Sequence, residues 1–456
     1  MCRASVSSTC RSIRSKVNLF VQSSTRKEFE VKVERIIPGG KGLGFHDNKA
    51  VFVPLAVPQD RIRVRRYRDK RSYLEVLESE IVHPSANRIA APCPYFGICG
   101  GCDFQQMRYD AQIEAKRDIL LDALRRIGKV EVSSSQVRLH SSAEFGYRNR
   151  IRVRPVWWKG ELSWSFFHES SHQAQIIDSC LIADPSLWRK LEDVKRLVMS
   201  ISGLPSSLAE TEVFLGDEGD SLVELILESS VQDVYLWAEK IRKSDMLQDL
   251  PRLQLAISSS STPHRVVLGT TPVFKSVGGF KYRVSHGSFF QVNGPMLPLL
   301  CEIATQSHEG ERALEFFCGI GFFTLPLAAK FGQLQAIEGS DSAATDLREN
   351  LRSNQVSNVS IFNGDVRSYL EFARAGSGEH DLLLLDPPRS GVPKEALESI
   401  ADLRAKRMVY ISCDPSTLAR DLRVMATRNY EIETIDLVDL FPQTHHLETV
   451  VHLKRH

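Results

Sequence analysis

The sequence predicts a multidomain protein, α/β plus β, in which an all-β N-terminal part precedes a doubly wound α/β domain at the C-terminus. Three observations carry this. A chain of 456 residues is too long for one ordinary core and calls for roughly two to four domains. Residues 28–83 fall into short runs of period-two alternation punctuated by glycine, the texture of a small closed sheet. From about residue 310, continuous apolar runs alternate with helical stretches, as buried parallel strands do.

Composition narrows the class further. A hydrophobic fraction of 42% with 25% charged residues is globular, and no apolar run reaches the roughly 18–20 residues that span a bilayer. A soluble, cytoplasmic, monomeric protein with no membrane partner is the expectation. The formal net charge is only +2, but residues 1–85 carry 17 Lys and Arg against 9 Asp and Glu. Such segregation lets a local basic face attract phosphate while the whole stays near neutral. The first 27 residues hold six Arg or Lys, many Ser and no acid. That is the composition of a disordered tail, of an over-extended start or of an organellar import segment. Nine cysteines without a signal peptide argue for a metal site or a reactive thiol rather than a disulfide framework.

Taken in order, "EFEVKVERI", "PGGKGLGF", "AVFVPLA", "DRIRVRRYRD" and "SYLEVLESEIV" read as the strands of a barrel over residues 28–84. The fourth places Arg61, Arg63 and Arg65 on one face with Tyr67 available for stacking; a solvated strand edge blunted by charge is the plainer reading. Residues 85–290 open with "PCPYFGICGGCDF" and a helical stretch over 105–127 ended by Gly128, then return to strand alternation. A central antiparallel sheet with long connections is expected there. Residues 291–456 supply five strand candidates in βαβ rhythm.

Chemistry concentrates at the ends of those five strands. "LEFFCGIGFF" joins a strand to a helix through Gly319 and Gly321, which let a ligand approach the backbone. Glu338 follows 21 residues after Phe317, where an acid binds ribose hydroxyls, and Asp365 ends the third strand. This set points to S-adenosylmethionine; a dinucleotide or a bare structural turn is the alternative. Asp386 ends the fourth strand, stiffened by Pro387 and Pro388, although Arg389 stands where amine methyltransferases carry an aromatic residue. Cys413 ends the fifth. From position alone a quiet core thiol is the leading reading. With S-adenosylmethionine beside it a nucleophile gains ground, because C5 of a pyrimidine accepts a methyl group only after something adds to C6. Glu448, His445 and His446 are candidates for the base that removes the C5 proton; the histidines also read as ordinary loop residues and receive no role. Separately, Cys93, Cys99 and Cys102 with a distant Cys180 favour a [4Fe–4S] cluster over zinc or free thiols.

Seven stretches in fixed order, "CPYFGICGGCDFQ", "YRNR", "SFFQVN", "FCGIGFFTLPLA", "DPPRSG", "SCDPSTLARDL" and "FPQTHHLET", resemble the RNA uracil-5-methyltransferase family, in its branch with a TRAM domain and an iron–sulfur cluster. The resemblance covers about residues 28–456. It implies an OB-like TRAM barrel that binds RNA and a Rossmann-like methyltransferase domain, with the helix over 105–127 packing on that domain. Cys93, Cys99, Cys102 and Cys180 match the [4Fe–4S] ligands. Gln291, Phe317, Glu338, Asp365 and Asp386 match positions that contact S-adenosylmethionine, Cys413 the nucleophile and Glu448 the general base. Two departures stand out: Phe322 occupies a cofactor position where many relatives carry a polar residue, and Asp365 one where some carry Asn. Structured RNA is the implied substrate, with 23S rRNA favoured over tRNA by analogy. An RNA cytosine-5-methyltransferase would use similar chemistry but usually carries a Pro-Cys pair where Pro387 precedes Pro388. An RNA-binding redox sensor would not need Cys413 and Glu448.

Overall fold

A computed structural model describes residues 28–456 apart from 170, 202–206, 229, 245–249, 251 and 374–378. The basic segment 1–27, read above as a tail or import signal, lies outside the described residues. Strands β1 (Phe29–Lys32), β2 (Arg35–Ile36), β3 (Gly42–His46), β4 (Lys49–Val53), β5 (Arg61–Asp69) and β6 (Tyr73–His83) form a sheet in the order β1-β5-β6-β4-β3-β2. Its two edge strands are one continuous stretch: β1 pairs with β5 and β2 pairs with β3, so the sheet closes on itself. Alternating valines and Ile62 fill the interior. Gly44 lacks a side chain for a reason, since a Cβ there would stand 2.6 Å from the Lys32 carbonyl oxygen.

One expectation holds on this barrel and one fails. Arg61, Arg63 and Arg65 share the outward face of β5, alternating with buried Ile62 and Val64, but acids on the neighbouring strands answer Arg63 and Arg65. Arg63 donates to Glu30 at 2.9 Å, Arg65 pairs with Glu80, and Arg68 lies 3.6 Å from Glu75. Tyr67 is no stacking platform, because its ring is buried and meets Phe29 edge-on. Moreover, six of the positive charges in the N-terminal excess belong to residues 1–27, so residues 28–85 hold 11 basic against 9 acidic side chains.

Helix α1 (Tyr109–Ala123) continues through a wider turn over Leu124–Gly128. Gly128 is required by close packing: a Cβ would meet the Ala419 carbonyl oxygen at 3.1 Å. After β7 (Val137–His140) come β8 (Arg150–Trp158), β9 (Glu161–Phe167), β10 (Ala174–Ile176), α2 (Pro185–Ser200), β11 (Leu208–Leu215), β12 (Ser221–Leu227), α3 (Val231–Arg242), β13 (Leu253–Ser259) and β14 (Arg265–Leu268). Seven of these strands form one sheet, β10-β9-β8-β11-β12-β13-β14, with α2 and α3 sharing its apolar core. The expected antiparallel sheet is in fact mixed. β12 and β13 run parallel because α3 crosses over between them, and β12 is apolar on both faces, which alternation cannot reveal. The hairpin β15 (Val273–Val277) and β16 (Phe280–Val284) packs Val273, Tyr282 and Val284 into the C-terminal core. That core therefore recruits chain from well before residue 291.

The C-terminal part runs α4 (Leu297–Thr305), β17 (Gly310–Phe316), α5 (Thr324–Ala328), β18 (Phe331–Glu338), α6 (Asp341–Ser353), β19 (Val359–Asn363), α7 (Val366–Ala373), β20 (Leu382–Leu385), α8 (Lys394–Ala401), β21 (Arg407–Ser412), α9 (Pro415–Ala426), β22 (Tyr430–Val438) and β23 (Glu448–Arg455). Its sheet has the order β19-β18-β17-β20-β21-β23-β22-β7. β17 to β21 are mutually parallel, β23 is antiparallel to both neighbours, and β7 is donated from far upstream. Separate apolar layers cover the two faces. The order reverses between β17 and β20, which opens a crevice at the carboxyl ends of those strands. Among the described residues no helix is long and apolar enough to cross a membrane.

Candidate active site

At the end of β17 the chain turns through left-handed backbone at Phe317 (φ 61°), Gly319 (φ 56°) and Gly321 (φ 94°). The two glycines serve different ends. A Cβ on Gly321 would strike Leu347 Cδ1 at 2.6 Å, so that residue lets α6 pack closely, whereas a Cβ on Gly319 would meet only open space. Glu338, at the end of β18, accepts from the Gly319 N–H at 2.8 Å and from the Ser340 N–H at 2.7 Å. A ligand bearing hydroxyls fits here, in the open space beside Gly319 and against a fixed carboxylate. Asp365, beyond β19, accepts the Ser368 N–H at 2.7 Å, and this bond holds its carboxyl below the usual range. Gln291 is buried beside Phe290. The ring of Phe322 meets Tyr282, Phe290 and Phe323, and its carbonyl accepts from the Tyr282 hydroxyl at 3.0 Å.

Glu315 was missed by the sequence reading. It is wholly buried in β17, accepts from Thr324 Oγ1 at 2.6 Å, and burial pushes it up to about 8. Its other oxygen has no partner. An acid inside the apolar, buried half of a parallel strand, Ala313–Phe316, was the available signal.

β21 and β23 place Ser412 opposite Thr449. Cys413, just past the end of β21, and Glu448, the first residue of β23, therefore stand opposite each other at the next position of the ladder. Asp386 ends the adjacent strand, β20. Asp414 caps α9 by accepting from the N–H groups of Ser416 and Thr417 at 2.9 and 2.8 Å, which fixes the turn that carries Cys413. Burial pushes the Cys413 thiol up to about 11; the charges of Glu448 and Asp386 add to this, and the Arg389 guanidinium opposes it. Burial also raises Asp386 to about 7 and Glu448 well above the usual carboxylate range, again against Arg389. Arg389 is thus the cation of the site, a part the sequence reading did not give it.

The loop before Glu448 is held from outside the C-terminal sheet. Lys116 on α1 donates to Asp439 at 2.6 Å and to the Phe441 carbonyl at 2.9 Å, with both charged side chains fully buried. Tyr109 donates to Asp439, Tyr147 to the Pro442 carbonyl, and Gln112 exchanges bonds with Gln443. His445 Nδ1 lies 2.6 Å from Asp103. His446 is partly buried, and burial with the neighbouring His445 lowers it to about 4.

Cys93, Cys99, Cys102 and Cys180 line one cavity of about 400 Å³ between the barrel end of the central part and β9. As donors, four thiols suit a [4Fe–4S] cluster. Yet among the described residues no group of three or more His, Cys, Asp or Glu is arranged to hold a metal ion. The complete ligand set expected from the sequence is a set of neighbours rather than a formed site. A thiol must lose its proton to ligate, and burial raises Cys99, Cys102 and Cys180, with Cys102 pushed up to about 12.

A parallel sheet with a glycine turn on its first strand, an acid on its second and a crevice at the switch point defines the class, a mixed α/β methyltransferase. The sequence model of the tRNA (uracil-5-)-methyltransferase family matches residues 108–456. The chain belongs to that family, whose members are S-adenosylmethionine-dependent RNA uracil-5-methyltransferases. Among its relatives is the 23S rRNA (uracil(1939)-C(5))-methyltransferase RlmD of Alkalilimnicola ehrlichii, 31% identical over 94% of this chain and 97% of the relative. An uncharacterized RNA methyltransferase of Aquifex aeolicus is 30% identical over 94% and 99%. A crystal structure of the Pyrococcus abyssi tRNA (uracil-54, C5)-methyltransferase with S-adenosyl-L-homocysteine covers 93% of this chain and 100% of its own, with a TM-score of 0.71 at 22% identity. That likeness confirms the fold.

Proposed function

We propose that this chain methylates C5 of a specific uridine in structured RNA, with 23S rRNA as the favoured substrate and tRNA as the alternative. The observation that carries the mechanism is Cys413 standing opposite Glu448 at the end of the sheet whose first strand bears the glycine turn. S-adenosylmethionine supplies an electrophilic methyl group when bound. Gly319, Glu338, Asp365, Gln291, Phe317, Phe322 and Asp386 would hold it.

Cys413 sheds its proton and its sulfur adds to C6 of the uracil, which turns C5 into a carbon nucleophile able to take the methyl group. Glu448, as carboxylate, then removes the C5 proton, and the electron pair released expels Cys413 and restores the C5–C6 double bond. Burial pushes the Cys413 thiol up to about 11 and raises the Glu448 carboxyl, so the reactive forms of both grow as pH rises. The target base must leave its stack to reach the crevice. The barrel over residues 28–84 would serve as the TRAM module that docks the RNA, and the four thiols would hold the [4Fe–4S] cluster once deprotonated. The 23S preference is supported by relatives named for that RNA that align over nearly the whole chain.

The test is adduct trapping. A 23S rRNA fragment carrying 5-fluorouridine, incubated with the protein and S-adenosylmethionine, should give a denaturation-resistant protein–RNA band, because fluorine cannot be removed as a proton. A band that persists in Cys413→Ala overturns the mechanism. Iron content and a brown chromophore after anaerobic purification decide the cluster.

A further inference from the structure

A second cavity, of about 330 Å³, opens where the central sheet meets the loop between β16 and α4. It is strongly polar, and the crevice chemistry uses none of it. Four polar atoms of its lining residues are buried without a partner: Arg150 Nε, Thr262 Oγ1, His264 Nε2 and Ser288 Oγ. Ser288 is 2% exposed. Buried polar atoms without partners are rare in folded proteins and call for an explanation such as an absent hydrogen-bonding group.

The charge balance says what kind of group. Three guanidinium groups face the cavity, but Arg152 is bound to Glu212 at 2.7 Å and Arg265 to Glu224 at 2.9 Å, with Arg150 3.6 Å from Glu212. The lining is therefore near neutral, which suits a phosphate poorly. Hydroxyls and an imidazole, which both donate and accept, suit the edge of a nucleobase instead. Phe289 stands at the rim, 63% exposed, and offers a ring face for stacking. The loop is tied to the crevice as well. Gly287 (φ 83°) lets it fold over Arg265, which donates to the His286 carbonyl at 3.1 Å. From Ser288 to Gln291 is three residues, about 10 Å of chain at most.

We infer that this cavity takes a second unstacked base of the substrate RNA, close in sequence to the methylated uridine. The inference rests on the RNA-methylating function proposed above and adds a base-reading site to it. The probe is the 5-fluorouridine fragment of 23S rRNA, made with an abasic site at each of the three nucleotides on either side of the target. Filter-binding affinity and adduct yield are both read, for the wild-type chain and for the Thr262→Val/His264→Ala variant. That variant alters a turn outside the crevice.

One abasic position should weaken wild-type binding about tenfold and the variant's less than twofold, while the variant binds the intact fragment about tenfold more weakly than wild type. Equal losses in the two proteins, or no sensitive position, would overturn the inference. A sensitive position lost in the variant without any adduct would sink the covalent mechanism and leave this site standing.

Discussion

The barrel and the C-terminal crevice are both rich in charge, and they handle it in opposite ways. On the barrel cations meet anions on other strands, in water: Arg63 with Glu30, Arg65 with Glu80, Lys49 with Asp69. In the crevice Glu448, Asp386 and Glu315 are withdrawn from water; Arg389 offsets Glu448 and a hydrogen bond from Thr324 offsets Glu315. Exposed pairs gain little from each other and perturb little. Buried, under-compensated carboxyls shift by whole pH units, and such shifts cluster where chemistry is done. Density of charge thus says nothing about function until its partners and its burial are known.

The largest effects should come from breaking the crevice. Cys413→Ala should abolish methyl transfer, by at least about 10⁴-fold in kcat, the scale of losing a covalent nucleophile. Glu448→Gln should lower kcat by about 10²- to 10⁴-fold and accumulate the covalent adduct on ordinary uridine RNA. The same change should raise the melting temperature at pH 8. The Glu448 carboxyl is raised in the folded protein, so the unfolded chain gives up its proton first, and stability falls as pH climbs from the unfolded value toward the folded one. Gln removes that penalty. A variant that is both inactive and less stable at pH 8 would show that Glu448 is held as a structural ion.

Next in size is the buried pair that holds the loop before Glu448. Lys116→Met should cost about 3–5 kcal/mol in urea unfolding, because Asp439 is left buried without its counter-ion. Adding Asp439→Leu should recover most of it, and little recovery would mean that the loop, not the charge, is what Lys116 supports. A smaller effect follows from the Cys413 thiol at about 11. The proton must leave before attack, so the rate of adduct formation should rise about tenfold per pH unit from 6 to 9. A flat profile would mean that RNA binding deprotonates the thiol.

What could be seen in the sequence divides along the same line. The doubly wound sheet and its strand-end residues were legible because parallel topology puts the carboxyl end of every strand on one edge, so Gly319, Glu338, Asp365, Asp386 and Cys413 had to share a crevice. Glu448 followed from a strand whose antiparallel pairing was not predicted. The mixed central sheet, the recruitment of β7 and the helical clamp on the 439–447 loop depend on contacts between residues hundreds of positions apart, as Lys116 and Asp439 show. The arginine stripe kept its face but not its freedom, for a related reason. Alternation fixes which face a side chain takes within a strand, but not what stands opposite it on the next.

The barrel makes the smallest prediction and the most informative one. Because Arg65 already has Glu80, Arg65→Ala should leave RNA affinity within twofold and the melting temperature unchanged within error. Glu80→Gln frees the guanidinium and should instead tighten binding at low salt, with the salt dependence steepening by about one released counterion. If Arg65→Ala weakens binding uniformly across RNA sequences and flattens the salt slope by about one, the pair opens on docking and the barrel's ion pairs are a reserve of phosphate contacts. The contrast between the two regions would then be one of timing: the crevice holds its charges out of water permanently, and the barrel releases its own only when phosphate replaces the carboxylates.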